Sequence, residues 1–212
     1  MRPYLKDPAA IYAESFATVR REARVERFAP DMGEMIVRIV HACGMVEVAD
    51  RLAFSDGAVA AGRAALARGA PVLCDCEAVA AGVIRRSLPE GCEVVVTLND
   101  ASVAGRAKAA GTTRSAAAVE LWSDRIDGAV VAIGNAPTAL FHLLERIEGG
   151  WPKPALILGF PVGFVGAAES KAELARGALG VPFVALRGRR GGSAMAAAAV
   201  NALSVGLAGD GT

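Results

Sequence analysis

The sequence predicts an α/β protein with a mostly parallel sheet, helices on both faces of the sheet and an N-terminal helical segment. The first observation is a set of five short apolar runs, each bounded by Gly, Pro or Asn: PVLCDCE, CEVVVTLN, GAVVAIGN, PALILGFP and VPFVALRG. The second is that helical patterns lie between these runs, as in βαβ units. The third is that the runs lack polar alternation, which is typical of strands covered on both faces.

Length and composition indicate one domain. The chain has 212 residues, of which 53% are hydrophobic, and this is enough for one sizeable core. Because no linker or internal repeat divides it, we expect a single domain over residues 1–212 with its core at about 4–205. The net charge of +1 gives no electrostatic reason to expect nucleic acid or an anionic membrane as a partner.

The N-terminal segment is expected to contain a long central helix between two others. The first covers residues 8–24, with Asp7 as its N-cap. The third follows Ser55 or Asp56 and ends at Gly69. Further along the chain, helices are expected at 77–87, 102–124 with a break near Gly111, 137–148, 167–177 and 192–205.

The central stretch, Asp31 to Phe54, is expected to form one amphipathic helix. Asp31 would be its N-cap, and Glu34 lies at the spacing of a capping box. Glu34, Arg38 and His41 fall at i, i+4 and i+7 and therefore share one helix face. His41 is one of two histidines, so it is a candidate for proton transfer near neutral pH. A solvated face with a salt-linked arginine is the alternative interpretation.

The four cysteines do not form a disulfide framework, since the chain is long and has no apolar signal segment at its N-terminus. Cys74 and Cys76 could suggest a metal site, but no further ligands stand at familiar spacing. We interpret them as buried strand cysteines and expect no metal. No apolar run approaches the roughly 20 residues needed to span a bilayer, so the sequence predicts a cytoplasmic protein outside the membrane.

Ligands of parallel sheets bind at the carboxyl ends of the strands. The loops expected at that edge are 75–77, 99–100, 135–138, 160–166 and 187–193. No Walker A sequence occurs and the glycine spacing departs from the dinucleotide fingerprint, which disfavours nucleotide binding. Gly163 and Gly166 would instead let backbone approach an anionic or planar ligand.

Two arginine groups near this edge have competing interpretations. Arg187, Arg189 and Arg190 precede a helix and suit carboxylates, although a solvated basic turn explains them equally well. Arg114 stands in the first turn of a helix that begins after Thr112 or Thr113, where a cation opposes the helix dipole. A residue that breaks a local rule in this way is a candidate for a functional site.

Four segments together resemble the precorrin-8X methylmutase family of cobalamin (vitamin B12) biosynthesis. They are VRIVHACG, NAPTALFHLLE, LGFPVGFVGAAESK and RGRRGGSAMAAAAVNAL, and the resemblance runs from about Tyr4 to Leu203. It implies a cytoplasmic, homodimeric α/β isomerase, that is, an intramolecular transferase. Such an enzyme moves a methyl group from C-11 to C-12 of a corrin macrocycle, a tetrapyrrole, and gives hydrogenobyrinic acid.

The resemblance also implies site residues. The positions that match the family's motifs are His41 as the catalytic residue and Ser15, Arg38, Arg85 and Arg114 as substrate-binding residues. Ile84 stands where the family often has threonine before the matching arginine, so one polar contact is lost and Arg85 alone is carried over.

An intramolecular methyl shift needs no acceptor and no cofactor, so none is expected. Protonation of a ring nitrogen would redistribute the electrons of the macrocycle, and an imidazolium is a suitable general acid near neutral pH. We therefore expect His41 to donate a proton and the arginines to bind carboxylates of the corrinoid. Three alternatives remain: a cobalt-precorrin-8 methylmutase of the anaerobic route, a non-catalytic corrinoid carrier and a nicotinamide-dependent oxidoreductase.

Overall fold

In the computed structural model, which describes residues 2 and 4–208, a six-stranded sheet separates two layers of helices. The strands are β1 Leu52–Phe54, β2 Val72–Cys74, β3 Val94–Val96, β4 Val130–Ile133, β5 Leu156–Gly159 and β6 Phe183–Leu186. Their order is β1-β6-β5-β4-β2-β3, and all neighbours are parallel except β1, which pairs with β6 antiparallel. The predicted α/β class with a mostly parallel sheet is thus confirmed.

The helices cover both faces of this sheet. They are α1 Pro8–Ala23, α2 Pro30–Cys43, α3 Ala58–Ala67, α4 Glu77–Gly82, α5 Val103–Ala110, α6 Arg114–Val119, α7 Pro137–Glu148, α8 Ala167–Leu174 and α9 Ser193–Ser204. Buried side chains of α2, α3 and α9 form one core cluster, and those of α7 form a second. The break predicted near Gly111 separates α5 from α6, and Gly111 has a left-handed backbone.

The strands contribute alternate residues to the two clusters, because successive side chains of a strand point to opposite faces. In β4, Val130 and Ala132 belong to the cluster with α2 and α9, whereas Val131 and Ile133 belong to the cluster with α7. All four are fully buried. This double burial explains why the strands read as continuous apolar runs in the sequence.

The single helix expected from Asp31 to Phe54 is wrong. Helix α2 ends at Cys43 because Gly44 adopts a left-handed backbone (φ 68°), which stops the helix. A 3-10 turn, Val46–Arg51, and strand β1 follow. The apolar residues of this stretch thus belong to three elements: a helix, a 3-10 turn and an edge strand. The prediction failed because their combined spacing resembles that of one long helix.

The predicted caps of two N-terminal helices also differ from the structure. Helix α2 begins at Pro30 with Ala29 as its N-cap, so the Asp31 carboxylate lies in the first turn and accepts from the Met32 N–H at 2.8 Å. The N-cap of α3 is Gly57. The Ser55 hydroxyl instead accepts from a backbone N–H of β6. By contrast, the Asp7 carboxylate caps α1 as expected, accepting from the Ala9 N–H at 3.0 Å.

All four cysteines are free, and Cys74 and Cys76 are buried. Within residues 2 and 4–208, no group of three or more His, Cys, Asp or Glu side chains is arranged to hold a metal ion. Over the same residues, no helix combines the length and the apolar character that crossing a membrane requires.

Candidate functional site

His41 lies in the last turn of α2, where α1 packs against it. The Ser15 hydroxyl of α1 is 2.8 Å from His41 Nδ1, so this ring nitrogen has a partner. The hydroxyl is both a donor and an acceptor and therefore fits Nδ1 with or without its proton. Since Ser15 holds Nδ1, the Nε2 side of the imidazole is left for a ligand.

Two aromatic rings fix the imidazole from the α1 side. The Tyr12 ring lies 5.6 Å from the His41 ring, tilted by 33°, and the Phe16 ring lies 5.2 Å away, edge to face. Tyr12, Ser15 and Phe16 are at i, i+3 and i+4, so one face of α1 surrounds the histidine. The Arg38 guanidinium, one turn before His41 in α2, lies over the Phe16 ring at 5.5 Å from its centroid.

An open cavity of about 250 Å³ begins at this cluster. Its lining residues are Tyr12, Phe16, Arg38, His41, Ala42, Gly82, Ile84, Ala194, Ala197, Ala198 and Asn201. The members from α9 fall at i, i+3, i+4 and i+7, so one face of that helix forms the wall opposite α1. Because three of these four residues are alanines, the wall is smooth and leaves room for a ligand.

Asn201, which sequence reasoning missed, is the polar member of that wall. Its Nδ2 donates to the Gly82 carbonyl at 2.9 Å, and its Oδ1 accepts from the Ile84 N–H at 2.8 Å. A Cβ atom on Gly82 would lie 2.7 Å from the Ala197 Cβ, so the end of α4 and α9 are in close contact. The signal in the sequence that could have identified Asn201 is that it is a single polar residue on a helix face otherwise made of alanines.

The structure places the five expected site residues in three groups. His41, Ser15 and Arg38 form one cluster. Arg85 is exposed and begins a 3-10 turn directly after Ile84, which lines the same cavity. Arg114 lies elsewhere at the carboxyl edge, where its guanidinium donates to the Leu98 carbonyl at 3.1 Å and to Asn99 Oδ1 at 3.2 Å.

Asp75, at the end of β2, is a second residue that sequence reasoning did not select. Its buried carboxylate accepts from the N–H groups of Gly134, Asn135 and Ala136 at 2.8–3.0 Å. Burial raises the pKa of this carboxyl, while the three N–H groups act in the opposite direction. Asp75 therefore fixes the turn between β4 and α7 at the carboxyl edge.

The arginine-rich turn before α9 is held by contacts within the chain. Arg190 pairs with Glu47, and this bond lowers the pKa of the Glu47 carboxyl. The fully buried Lys171 of α8 donates to the Arg190 carbonyl, and burial lowers the pKa of the Lys171 ammonium to about 8. Arg189 lies over the ring of Phe164. In this structure the carboxylate partner of Arg190 is therefore Glu47 of the same chain.

His142 occupies different surroundings on the opposite face of the sheet. It lies in α7, and its Nε2 contacts the Glu120 carboxylate, which also binds Arg146. The side chain is 15% exposed. This closed network agrees with a structural role for His142 and leaves His41 as the histidine that lines the cavity.

Comparisons with known proteins agree on one family. The family model described as Precorrin-8X methylmutase matches residues 10–205. A precorrin-8X methylmutase of Pseudomonas aeruginosa is 60% identical over 96% of this chain and 98% of its own length. A cobalt-precorrin-8 methylmutase of Priestia megaterium is 37% identical over 96% and 90%. The solved structure of the Thermus thermophilus precorrin-8X methylmutase has a TM-score of 0.85 and 41% identity, covering 94% of this chain and 96% of that one.

Proposed function

This chain belongs to the precorrin-8X methylmutase family, and we propose that it moves a methyl group from C-11 to C-12 of precorrin-8X to give hydrogenobyrinic acid. The chain is accordingly an isomerase of cobalamin biosynthesis. The observation that carries the catalytic part of the proposal is His41, held at Nδ1 by Ser15 and set in the wall of an open cavity.

In the proposed mechanism, His41 is the general acid. The imidazolium donates the Nε2 proton to a nitrogen of the bound macrocycle, which draws electron density toward that nitrogen and favours migration of the methyl group. The proton returns to Nε2 after the shift, so atoms and charge balance without a co-reactant. Throughout the cycle Nδ1 stays protonated. Its N–H donates a hydrogen bond to the Ser15 hydroxyl oxygen, which holds the ring in one orientation.

Arginine side chains are proposed to bind the carboxylates of the substrate. Arg38 lines the cavity beside His41, and Arg85 directly follows Ile84, which also lines it, so both are proposed to contact one ligand. Arg114 is proposed as a contact for a more distant part of the macrocycle, since it contacts Leu98 and Asn99 after β3, at the carboxyl edge where parallel sheets bind ligands. A guanidinium binds a carboxylate through two parallel hydrogen bonds, and this bidentate geometry orients the ligand as well as attracting it.

The metal-free substrate is favoured over the cobalt complex by sequence identity. The chain is 60% identical to a precorrin-8X methylmutase and 37% identical to a cobalt-precorrin-8 methylmutase. We place the reaction in the cytoplasm, because the family belongs to a biosynthetic route.

A homodimer is the proposed assembly. Phe164 and Val165, in the loop after β5, are 85% and 89% exposed, which is unusual for large apolar side chains of a monomer. In addition, a cavity of about 250 Å³ is smaller than the roughly 300–1,000 Å³ typical of ligand sites, so a corrinoid needs further cover. Sedimentation of the wild type and of Phe164→Asp tests this: the wild type should sediment as a dimer and the variant should shift toward monomer.

Turnover tests the function. Purified protein is mixed with precorrin-8X in one cuvette and with cobalt-precorrin-8 in another, and absorbance is followed with time. We expect the product spectrum of hydrogenobyrinic acid in the first and much slower change in the second. Faster conversion of the cobalt complex would assign the chain to the anaerobic route. Binding of both without a product spectrum would indicate a corrinoid carrier.

A further inference from the structure

One side chain holds residues 82–84, the segment that lines the cavity and directly precedes Arg85. Asn201 donates to the carbonyl of Gly82 and accepts from the N–H of Ile84, two residues further along. This pair of bonds to alternate residues is the pattern that a neighbouring β-strand would provide. The Asn201 amide thus supplies the hydrogen-bond partners that a strand would give to this segment, which belongs to no sheet.

The held segment needs this support. Helix α4 ends at Gly82, and the backbone of Val83 is extended (φ −76°, ψ 126°), so Ile84 lies outside the hydrogen-bonding pattern of the helix. The Ile84 N–H donates to Asn201 across 117 residues of sequence. Asparagine fits this position because its amide group carries both a donor and an acceptor, whereas aspartate at neutral pH has acceptors alone and leucine has neither.

We infer that Asn201 is a positioning residue that sets where Arg85 stands relative to His41. Arg85 directly follows the clamped segment, and Asn201 and His41 line the same cavity. The two hydrogen bonds from Asn201 therefore fix the backbone of Gly82 and Ile84 against α9, and with it the position of the Arg85 backbone. This inference rests on the proposed function, in which Arg85 binds a carboxylate of the corrinoid.

A matched control exists at the C-terminal end of α9, just beyond Asn201. Arg63 of α3 donates to the carbonyls of Leu203 and Val205, both at 2.9 Å, so it too makes two hydrogen bonds to backbone. Arg63 does not line the cavity that contains His41. Arg63→Ala therefore removes two hydrogen bonds to the end of α9 but none to the segment before Arg85. The variant distinguishes a general loss of helix stability from a loss of Arg85 positioning.

Amide hydrogen exchange tests the clamp without any substrate. In Asn201→Ala we expect exchange of the Ile84 amide to quicken by about tenfold or more, since its acceptor is gone. Arg63→Ala should leave exchange at Ile84 as in the wild type. Equal protection of Ile84 in the wild type and in Asn201→Ala would overturn the inference. Should Asn201→Ala not fold, Asn201→Asp keeps the shape and the acceptor, loses the donor to Gly82, and should give a smaller increase.

A double-mutant cycle with Arg85 then tests the link to binding. Asn201→Ala should raise KM for precorrin-8X by about tenfold and leave kcat within about twofold. In an Arg85→Ala background the same change should leave KM nearly unaltered, because the group being positioned is absent. Equal increases of KM in both backgrounds would show a merely structural role and overturn the inference. A wild type that neither binds nor converts precorrin-8X would overturn the proposed function itself, and the amide exchange at Ile84 tells the two failures apart.

Discussion

The chain's two histidines lie in helix layers on opposite faces of the sheet, and their partners differ in charge. His41 is exposed and is held by a neutral hydroxyl and two aromatic rings. His142 is mostly buried and contacts a carboxylate that also binds an arginine. A histidine paired with a charged network has little freedom to exchange its proton with a ligand, whereas one held at Nδ1 by a hydroxyl keeps Nε2 available.

The surroundings of the two residues extend this contrast. On the His41 face, small residues of α9 leave a cavity open beside the imidazole. On the His142 face, Leu140, Leu143 and Leu144 of α7 pack into a core cluster, and the space around His142 is occupied by the side chains of Glu120 and Arg146. The comparison teaches that small side chains of α9 keep the space beside His41 open, whereas charged side chains occupy the space beside His142.

The largest expected effect is that of His41→Ala on turnover. Loss of a general acid costs typically 10²- to 10⁴-fold, so kcat for precorrin-8X should fall by at least about 100-fold. Binding of product should change far less, because Arg38 and Arg85 remain. The absorbance time course measures the first and a spectral titration measures the second. Turnover within about threefold of the wild type would remove His41 from the chemistry.

A second effect concerns Lys171, which connects the His142 face to the turn before α9. Burial lowers the pKa of this ammonium to about 8, well below its unfolded value, so the unfolded chain binds more protons between about pH 8 and 10. The contribution of Lys171 to the free energy of unfolding should therefore rise with pH in that window, by at most about 1.4 kcal/mol per pH unit.

Urea unfolding at several pH values measures this contribution. In Lys171→Met the pH-dependent rise should be absent, so the difference in free energy of unfolding between variant and wild type should change steadily from about pH 8 to pH 10. Identical pH slopes for the two proteins would contradict burial of a charged ammonium at this position.

Ser15→Ala should have an intermediate effect. The variant removes the hydroxyl from Nδ1 and leaves the aromatic contacts, so the imidazole keeps its place but loses its fixed orientation. We expect kcat to fall by about tenfold with little change in KM, which corresponds to about 1.4 kcal/mol in the barrier. Steady-state kinetics measure both constants. Ser15→Thr, which keeps a hydroxyl, is the matched control and should retain most of the activity.

The smallest effect on turnover is expected for His142→Ala. Loss of its bond to Glu120 should lower the free energy of unfolding by about 1 kcal/mol, since the carboxylate still binds Arg146. Turnover should stay within about twofold of the wild type. Thermal unfolding and the absorbance assay measure the two quantities. A loss of turnover comparable to that of His41→Ala would abolish the distinction between the histidines.

Most of the fold could be predicted because it depends on local signals. The five parallel strands are apolar runs bounded by breakers, and the break at Gly111 follows from a residue that readily adopts a left-handed backbone. Strand β1 could not be found in this way. Its three residues, Leu52–Phe54, are too few to show a period, and they become a strand through pairing with β6, more than 100 residues away.

The site was less accessible to sequence reasoning than the fold. Spacing correctly placed Arg38 and His41 on one helix face. It also grouped Glu34 with them, but the Glu34 carboxylate binds Arg20 of α1. The contact between Ser15 and His41 spans 26 residues and two helices. The resemblance to a family named both residues, but it assigned Ser15 to substrate binding, and neither it nor periodicity predicted the contact. Asp75 and Asn201 carry no motif, since both act on backbone groups that only the folded chain brings near them.

The most direct test of the central claim is the pH dependence of a single turnover, measured with enzyme in excess over precorrin-8X. If protonated His41 is the acid, the rate in the wild type should fall as the pH rises, because less of the enzyme carries the proton to be donated. In His41→Ala the residual rate should lack that descending limb, while His142→Ala should keep it. A descending limb that persists unchanged in His41→Ala would contradict the account and assign the proton to another group.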